Sequence, residues 1–420
     1  MTIAWFSPLP PVRSGVADAN AELLPRLERD FTIDRYDEPR AHDFVWRNQR
    51  APYDLVVYQL GNASCHDFVW AYLARFPGLV VVHDPTVHHA RARQLLAARR
   101  ADDYRREFWF DHPDANRDVV EYAVEGLGGS IYYLWSMLPA VIKTARTIAV
   151  HNARVAADFR AAFPDTPIEA IHLGTSAVDA SEADRTAMRA ALRCSDRTIV
   201  FAAFGKVTSE KRIGAILRAF AALVGDGADA RLLLVGDASD YPTLKSDVDA
   251  AAMSERVHVT GFVDRDAIGR YLAAADVCLC LRWPTAHETS ASWLQCLSAA
   301  RPTVISDLAH TVDIDERVAI RIDLLDEEDA LGRAMRRLAT DEPLRRDLAR
   351  AGYAFWRAHH TMDVMANDYR RIISAAAARP IPPPPAGLPA HFTNDYSQPA
   401  RTIARQFGLS VDVLGGEPAG

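Results

Sequence analysis

Short apolar runs recur along both halves of the chain, and they constrain its fold more than any other feature of the sequence. They occupy residues 2–6, 55–60, 79–82, 147–150 and 168–171 in the first half and 198–204, 230–236, 257–261, 277–281 and 303–306 in the second. The runs lack the strict alternation of strands with one wet face, so they predict strands covered on both faces. Because helix-like segments separate the runs, the sequence predicts an α/β fold with two doubly wound parallel sheets.

Composition excludes several classes of protein. A chain of 420 residues is long enough for two domains. Its net charge of -7 provides no basic field for nucleic acid, and no apolar run approaches the roughly 20 residues that span a bilayer. The first residues lack the basic and long apolar regions of a signal peptide. Five cysteines without CxxC spacing fit a reducing cytoplasm, which is the expected location.

A polar stretch at residues 283–302 lies between two of the apolar runs in the second half. It contains Glu288, two candidate helix caps at Thr289 and Ser290, and a closing Pro302. Open α/β sheets bind ligands at the carboxyl ends of their strands, where this carboxylate is placed. The amides in the first turn of the following helix are unpaired donors that favour negative charge. This stretch therefore predicts a site for a ligand that contains phosphate.

Two further loops in the second half carry residues suited to such a ligand. Gly205 and Lys206 end one apolar run, and Lys211 follows near the start of a helix. Two ammonium groups that converge with helix amides would neutralise a diphosphate, whereas the alternative is a pair of solvated lysines. Phe262 and Val263 follow a later run and could border a flat base.

The first half has two candidate positions of its own. Gly15 separates the first apolar run from a helix-like segment, an order that is typical of phosphate sites and equally of an ordinary strand-to-helix turn. His83 and Asp84 end another run, where a histidine can donate a hydrogen bond, move a proton or serve only as a structural hydrogen-bonding group. His88 and His89 follow, but no metalloenzyme spacing appears, so no metal site is expected.

Together these motifs resemble retaining glycosyltransferase family 4, whose members have the GT-B fold. The resemblance rests on the order of Gly205-Lys206, Lys211, residues 234–237, residues 259–263, Ala275-Asp276, Glu288 and residues 301–307. The Gly15 loop and the strand end at His83-Asp84 match the same order, so the likeness covers about residues 1–378.

The resemblance implies two Rossmann-like domains that face each other across a cleft, an acceptor-side domain at 1–178 and a nucleotide-sugar domain at 179–360. A helix at 361–378 would cross back to the first domain. The substrates would be a nucleoside diphosphate sugar, with dTDP, UDP or GDP as its nucleotide, and a hydroxyl of a glycan or lipid-linked glycan. Transfer would retain the anomeric configuration without a metal or a true cofactor, as in the biosynthesis of polysaccharides.

The resemblance also implies roles for single residues. Lys206 and Lys211 would hold the diphosphate, and Gly15 would close over it from the other domain. Glu288 would bind hydroxyls of the donor sugar, and His83 would contact that sugar near the reacting carbon. These two residues and the two lysines are the expected catalytic groups. The remaining expected contacts with the nucleotide sugar are Gly205, Phe262, Val263, Thr289, Ser290 and Ala291.

One position departs from the family pattern. The family places a second glutamate eight residues after the first, where it binds the ribose of the nucleotide, but this chain has Cys296 there, with Gln295 beside it. A thiol cannot accept two hydrogen bonds from a ribose as a carboxylate does. The departure favours either recognition of the ribose elsewhere or a donor with 2′-deoxyribose, such as a dTDP-sugar.

Other interpretations of the sequence stay open. A nucleotide-sugar epimerase would share the architecture, and a non-catalytic binding or scaffold protein would keep a degenerate donor site. The arginine-rich residues 91–106 are either a solvated helix face or a patch for peripheral contact with the inner face of a membrane. Residues 379–420 begin with a proline-rich segment and predict a poorly ordered or arm-like tail. No feature of the sequence indicates the oligomeric state.

Overall fold

The computed structural model describes residues 1–394 and 398–410, which fold as two compact units. The first unit contains Met1–His172, Ala286–Thr289 and the described residues from Met365 onward, and the second contains Leu173–Thr285 and Ser290–Val364. The boundaries expected after residues 178 and 360 lie a few residues from these. The short segment 286–289 groups with the first unit although its neighbours in sequence belong to the second.

The first unit is built on a parallel sheet of six strands. These are β1 (Thr2–Phe6), β2 (Thr32–Tyr36), β3 (Leu55–Leu60), β4 (Leu79–Val82), β5 (Thr147–Val150) and β6 (Ile168–Ala170), in the spatial order β2-β1-β3-β4-β5-β6. Every adjacent pair is parallel. All residues of β3, β4 and β5 are buried, as expected for strands that helices cover on both faces.

Eight helices precede the second unit. They are α1 (Gly15–Leu27), α2 (Asp43–Arg50), α3 (His88–Ala97), α4 (Ala101–Asp111), α5 (Arg117–Val124), α6 (Ile131–Leu134), α7 (Pro139–Thr144) and α8 (Ala153–Ala162). The segment Ser64–Ala71 is a 3-10 helix. The core of this unit is rich in aromatic side chains, and Phe6, Phe44 and Tyr58 contribute fully buried rings to it.

The second unit repeats the architecture with a second six-stranded parallel sheet. Its strands are β7 (Ile199–Phe204), β8 (Ala230–Val235), β9 (Val257–Val259), β10 (Val277–Cys280), β11 (Thr303–Ser306) and β12 (Ile320–Ile322), in the order β12-β11-β10-β7-β8-β9. Its helices are α9 (Glu182–Ala191), α10 (Ile213–Gly225), α11 (Leu244–Ala250), α12 (Ile268–Ala274), α13 (Ala291–Ser298), α14 (Glu327–Thr340) and α15 (Glu342–His359). The predicted fold class, two doubly wound parallel sheets, is confirmed.

Two strands, β2 and β12, escaped the sequence prediction. Both lie at a sheet edge and both contain an arginine, Arg35 in one and Arg321 in the other. An edge strand has a neighbour on one side only, so it tolerates a charged side chain that a central strand would bury. The apolar-run criterion therefore misses such strands.

The chain returns to the first unit along α16 (Met362–Ala378) and later forms α17 (Gln398–Gln406). Met365 and Tyr369 of α16 are fully buried. Arg146 holds the end of α16, because its Nη2 donates to the carbonyl oxygen of Ala377 at 2.7 Å and its Nε donates to that of Arg379 at 3.1 Å. The guanidinium thus satisfies carbonyl groups that the end of a helix leaves without partners.

The first part of the proline-rich tail packs on the first unit. Phe392 is only 3% exposed, and His391 Nε2 donates to the carboxylate of Glu107 at 3.0 Å. Arg91 pairs with the same carboxylate, and its guanidinium lies 4.1 Å from the ring centroid of Trp70. This segment docks through one aromatic and one ionisable side chain, which composition alone does not reveal. Residues 395–397 and 411–420 of the predicted tail lie outside the described residues.

Within the described part of the chain, five of the six arginines in residues 91–106 are paired with nearby carboxylates, the exception being Arg99. Arg91 forms a buried pair with Glu107, and Arg105 pairs with Asp102 on its own helix and with Glu121 on α5. This arrangement fits an ion-paired helix face and leaves less free positive charge than the run of arginines suggests. Within residues 1–394 and 398–410, none of the helices is both long and apolar enough to cross a membrane.

Candidate functional site

The strand order of the second sheet reverses between β7 and β10, the two strands that precede the predicted lysines and the predicted loop of Glu288. The chain runs from β7 to β8 and β9 on one side and later fills the other side with β10, β11 and β12. Open α/β sheets bind ligands outside the carboxyl ends of their strands at such a reversal. Gly205 and Lys206 follow β7 directly, and the loop 281–290 follows β10. The carboxyl ends of β7 and β10 are therefore the candidate site of this unit.

A half-buried lysine closes the end of β7. Lys211 lies in the 3-10 turn Ser209–Lys211, and its Nζ donates to the carbonyl oxygen of Phe204 at 2.5 Å. Gly205 has a φ of 87°, and a Cβ at this residue would stand 2.6 Å from Nζ of Lys211. Burial, together with the nearby guanidinium of Arg282, lowers the pKa of Lys211 to about 8. The ammonium group is thus held at the strand end, where its charge is less favourable than in water and where an anion would stabilise it.

Lys206 has a different environment. It is exposed, and its Nζ forms an ion pair with Asp240 at 2.5 Å. Exposed pairs of this kind contribute about 0–1 kcal/mol, so the side chain can leave Asp240 for a stronger anion. The two lysines of the motif therefore differ, since one is fixed by burial and the other is held only by a surface ion pair.

The loop after β10 is tied to the lysine turn and to β11. Trp283 N donates to the carbonyl oxygen of Glu210 at 2.7 Å, and Arg282 N donates to Ser306 Oγ at 2.9 Å. Ser290 is the N-cap of α13, and its Oγ accepts a hydrogen bond from Trp293 N at 3.3 Å. The helix therefore begins at Ala291, one residue after the cap that the sequence offers.

Glu288 and Thr289 belong to the short segment that groups with the first unit. Thr289 Oγ1 donates to the carbonyl oxygen of His151 at 2.9 Å, and this residue directly follows β5. Glu288 is partly buried and comes directly after His287, which has a φ of 63°. A positive φ at a residue other than glycine is uncommon and marks a backbone that its surroundings constrain. The surroundings therefore hold the loop at Glu288 in one backbone conformation.

The two residues proposed to border a base differ in exposure. Gly261 adopts a φ of 71° after β9, and the side chain of Phe262 that follows is 54% exposed. Val263 instead packs partly against the core on that side of the second sheet. Of this pair, the ring of Phe262 is the surface that a flat ligand could contact.

His83 lies at the carboxyl end of β4, among other histidines of the first unit. Its ring centroid lies 4.9 Å from that of His151 and 6.3 Å from that of His66. Burial lowers the pKa of His83 well below the usual histidine value, and the two neighbouring histidines lower it further. The imidazole is therefore neutral near pH 7 and can accept or donate a hydrogen bond without carrying charge.

Gly15 begins α1, where Ser14 is the N-cap and its Oγ accepts a hydrogen bond from Ala17 N at 3.0 Å. No heavy atom of the described residues lies within 4 Å of the position that a Cβ on Gly15 would take. Internal packing therefore does not require a glycine here. The turn leads from β1 into a capped helix, as the sequence predicted.

Cys296 does not present its thiol to a ligand. It is fully buried in the core of the second unit, and its Sγ lies 4.0 Å from Sγ of Cys280. Gln295, the neighbouring residue on α13, is partly exposed. Position 296 is therefore an apolar core position, which offers no hydrogen-bond acceptor to a ribose.

Several residues near these sites were not singled out from the sequence. Arg282 follows β10 directly, so a cation at a strand end was the signal available for it. Gln59 interrupts the apolar run of β3, and a buried amide inside such a run is also a signal. Asp240 carried no signal, because its role depends on where the loop after β8 brings it. No group of three or more His, Cys, Asp or Glu side chains suited to a metal ion occurs among the residues that the structure describes.

Part of the second half of the chain matches a known protein family. Residues 197–341 match the family model described as Glycosyl transferases group 1. The alpha-D-kanosaminyltransferase of Streptomyces kanamyceticus is 29% identical over 181 residues, which are 41% of this chain and 45% of that protein. The matched segment therefore spans less than half of the length of this curated relative.

Solved structures resemble nearly the whole chain. The sucrose-phosphate synthase of Thermosynechococcus elongatus gives a TM-score of 0.64 at 16% identity and covers 89% of this chain and 99% of its own. HepE of Anabaena, solved in complex with UDP-glucose, gives 0.62 at 14% identity and covers 89% and 100%. At these identities the likeness concerns the fold. The chain has the GT-B fold of these structures, and its second half carries the match to Glycosyl transferases group 1.

Proposed function

We propose that this protein transfers a sugar from a nucleoside diphosphate sugar to a hydroxyl of a glycan or glycolipid, with retention of the anomeric configuration and without a metal. The observation that supports the proposal is that Lys206 and Lys211 follow β7, while α13 begins after the neighbouring strand β10, at the reversal of strand order in the second sheet. Such a set of donors suits a diphosphate that gains negative charge as it departs.

Each group of the site has a distinct role in this reaction. Lys211 supplies a fixed ammonium group to the leaving diphosphate, and Lys206 joins it by exchanging Asp240 for a phosphate oxygen. The unpaired amides in the first turn of α13 donate to the same group. Glu288 accepts hydrogen bonds from hydroxyls of the donor sugar, and the exposed ring of Phe262 stacks on the base.

Retention is proposed because the motifs resemble those of a retaining family. The two lysines and the amides of α13 are groups that stabilise a leaving group and do not attack carbon. We propose that a phosphate oxygen of the departing diphosphate takes the proton of the acceptor hydroxyl, so that the acceptor enters on the face that the diphosphate leaves. Catalysis then rests on positioning and on charge stabilisation. His83 contacts the donor sugar near the reacting carbon.

The comparisons support the class of the donor. HepE was solved in complex with UDP-glucose, and two curated relatives that match part of the chain are named as a transferase and a synthase. These names favour transfer over epimerisation. The buried Cys296 offers no partner to a ribose, so dTDP, UDP and GDP all stay candidates for the nucleotide.

The test is thermal stabilisation of the protein by UDP, GDP, ADP and dTDP, measured with EDTA and then with added Mg²⁺ or Mn²⁺. A ligand that binds only the native state raises the melting temperature by mass action. We expect one nucleotide to produce a shift in EDTA that the metals do not increase. A shift that requires metal would contradict the metal-independent site, and no shift at millimolar nucleotide would contradict a donor site altogether.

A further inference from the structure

Gln59 lies behind the candidate catalytic histidine of the first unit. It is 1% exposed, and its side-chain Oε1 receives two hydrogen bonds, from His83 Nε2 at 2.7 Å and from Tyr369 Oη at 3.2 Å. Tyr369 is fully buried on α16, while Gln59 is in β3 and His83 follows β4. Three elements of the first unit thus meet at one amide oxygen.

This contact determines which nitrogen of His83 carries the proton. An amide oxygen can only accept, so His83 Nε2 must be protonated to bond with Gln59 Oε1. In a neutral imidazole the other nitrogen, Nδ1, then carries the lone pair. Nδ1 of His83 has no hydrogen-bond partner among the described residues of the protein, and the side chain is partly exposed. The acceptor nitrogen is thus the one that remains for a ligand.

We propose that Gln59, held in place by Tyr369, is a positioning residue that keeps His83 in the Nε2–H tautomer, so that Nδ1 accepts a hydrogen bond from a hydroxyl of the donor sugar. The inference rests on the proposed sugar transfer for its ligand, although the tautomer itself is a property of the free protein. The opposite tautomer would turn an Nδ1–H toward that hydroxyl and would donate to its oxygen instead of accepting its proton.

The surroundings of Gln59 make this arrangement rigid. Its backbone carbonyl oxygen receives a hydrogen bond from His66 Nδ1 at 2.8 Å, so the same residue also fixes the neighbouring histidine. Tyr369 packs against Trp5 at 5.6 Å between ring centroids, and Trp5 Nε1 donates to Asn20 Oδ1 at 2.9 Å. Neither Gln59 nor Tyr369 can therefore rotate without disturbing buried neighbours.

Four groups besides Gln59 lie around His83, and two of them, both imidazoles, influence its charge. The imidazoles of His151 and His66 face it from β5 and from the 3-10 helix Ser64–Ala71, and both disfavour its protonation. The hydroxyl of Tyr369 approaches from α16 through the shared amide, and Asp84 is the next residue in the chain. These surroundings keep the imidazole of His83 neutral near pH 7, so a change at Gln59 acts on a neutral ring.

The first experiment records the imidazole ¹⁵N shifts of His83 in the full-length protein without ligand. Wild type should show a protonated Nε2 and an unprotonated Nδ1. Gln59→Leu, which removes the acceptor, should give a mixture of tautomers, and Tyr369→Phe, which releases the amide, should give a smaller change in the same direction. Gln59→Glu keeps an acceptor, so it should preserve the tautomer while raising the pH at which His83 takes up a second proton.

Kinetics separate positioning from a purely structural effect. Gln59→Leu should lower kcat by about ten- to hundredfold, the range expected for a misplaced catalytic group, with little change in the KM for the donor. Gln59→Glu should restore much of kcat at high pH and shift the acidic limb of the pH profile upward. Tyr58→Phe removes another buried tyrosine hydroxyl, which donates to the carbonyl oxygen of Phe76 at 2.9 Å, and it should leave the His83 tautomer unchanged.

Two results would overturn the proposal. One is a protonated Nδ1 on His83 in wild type, and the other is an unchanged tautomer in Gln59→Leu. If Gln59→Leu fails to fold, Tyr369→Phe and Gln59→Glu still decide the question, because both nearly preserve side-chain volume. The NMR result needs no substrate, so a failure of sugar transfer alone would remove the proposed function and leave the tautomer assignment standing.

Discussion

Among the residues of the candidate site, the ionisation of Lys211 bears most directly on the binding of an anion. Its ammonium group is buried against a backbone carbonyl, and burial with a nearby arginine lowers its pKa to about 8. In the free protein, these surroundings disfavour the positive charge of Lys211. A diphosphate supplies negative charge and therefore stabilises the ammonium group.

Lys211→Met should abolish most of the stabilisation by a nucleoside diphosphate without lowering the melting temperature of the free protein. A charge-assisted hydrogen bond to phosphate contributes about 1.5–3 kcal/mol, or roughly ten- to hundredfold in Kd. Methionine keeps the buried stem of the side chain, and loss of a disfavoured charge does not destabilise the fold. Calorimetry and melting curves measure both effects. Lys245→Met, at an exposed lysine of α11, is the control, and equal affinities in the two variants would exclude Lys211 from the site.

Affinity for the diphosphate should also fall as pH rises above about 8. In the free protein Lys211 loses its proton through that pH, and the neutral amine binds an anion poorly. Since the pKa in the folded chain lies below the ordinary value of 10.5, the unfolded chain binds more protons between those two pH values. The ligand-free protein therefore gains stability from this group as pH rises, while nucleotide binding weakens. Titration calorimetry from pH 7 to 9.5 tests this, and Lys211→Met should show no such dependence.

Glu288→Gln should reduce sugar transfer while sparing the binding of the free nucleotide. The proposed role of the carboxylate is to accept hydrogen bonds from sugar hydroxyls, and an amide accepts them more weakly because it lacks the charge. The nucleotide alone carries no donor sugar, so its Kd should stay within about twofold. Transfer rates and nucleotide titrations on one protein preparation measure the two quantities. Full transfer activity in the variant would exclude the role of Glu288.

At the scale of secondary-structure elements, two glycines allow the ends of β7 and β8 to approach each other. Gly236 has a φ of 156°, and a Cβ on it would stand 2.2 Å from the carbonyl oxygen of Gly205. Gly205 in turn leaves room for the ammonium group of Lys211. The position of the turn that contains Lys211 thus depends on the close packing of the ends of β7 and β8. A side chain at Gly205 or Gly236 must displace that turn.

Gly236→Ala should destabilise the second unit by about 1–3 kcal/mol and weaken nucleotide binding together with stability. The clash is with backbone atoms, which cannot move aside as a flexible side chain can. Gly225→Ala is the matched control, because that glycine is the last residue of α10 and no heavy atom lies within 4 Å of its Cβ position. Alanine there should stabilise the helix by about 0.4–1 kcal/mol. Similar melting temperatures for the two variants would contradict the packing argument.

At the scale of the whole molecule, the chain that leaves the second unit completes the first one. α16 supplies the buried Tyr369, and Arg146 holds the end of that helix through two carbonyl groups. The tail beyond it adds Phe392 and His391 to the surface formed by α3 and α4. Burial raises the pKa of Glu107, but the Arg91 guanidinium and His391 outweigh it, so the net pKa of that carboxyl is lowered.

Phe392→Ala should lower the melting temperature of the first unit, with a loss of about 3 kcal/mol, because it empties a buried aromatic position. Nucleotide affinity should not change, since the proposed diphosphate contacts lie in the second unit. Phe407→Ala changes another phenylalanine of the same tail that is 75% exposed, and its effect should stay within about 0.5 kcal/mol. Calorimetry that follows each transition measures both variants. A loss of stability in neither variant would mean that the tail does not contribute to the fold of the first unit.

Much of the second-unit site could be predicted from the sequence, because its residues follow apolar runs directly. Lys206 and the loop of Glu288 are positioned by the strands before them, and the carboxyl ends of parallel strands lie at the same edge of a sheet. Gln59 and Tyr369 could not be paired in this way. They are 310 residues apart and meet only when α16 packs on the first sheet.

The sequence by itself determined the two parallel sheets, the strands that hold the candidate residues and a cap of α13 at Thr289 or Ser290, since periodicity and capping act over a few neighbouring residues. Tertiary structure decided that Ser290 is that cap, that Cys296 is a core residue, that Lys211 bonds to the end of β7 while Lys206 pairs with Asp240, and that the tail docks through Phe392. Those outcomes depend on which residues, distant in sequence, pack together away from water. Burial and ion pairing arise from that packing, so local patterns in the chain do not predict them.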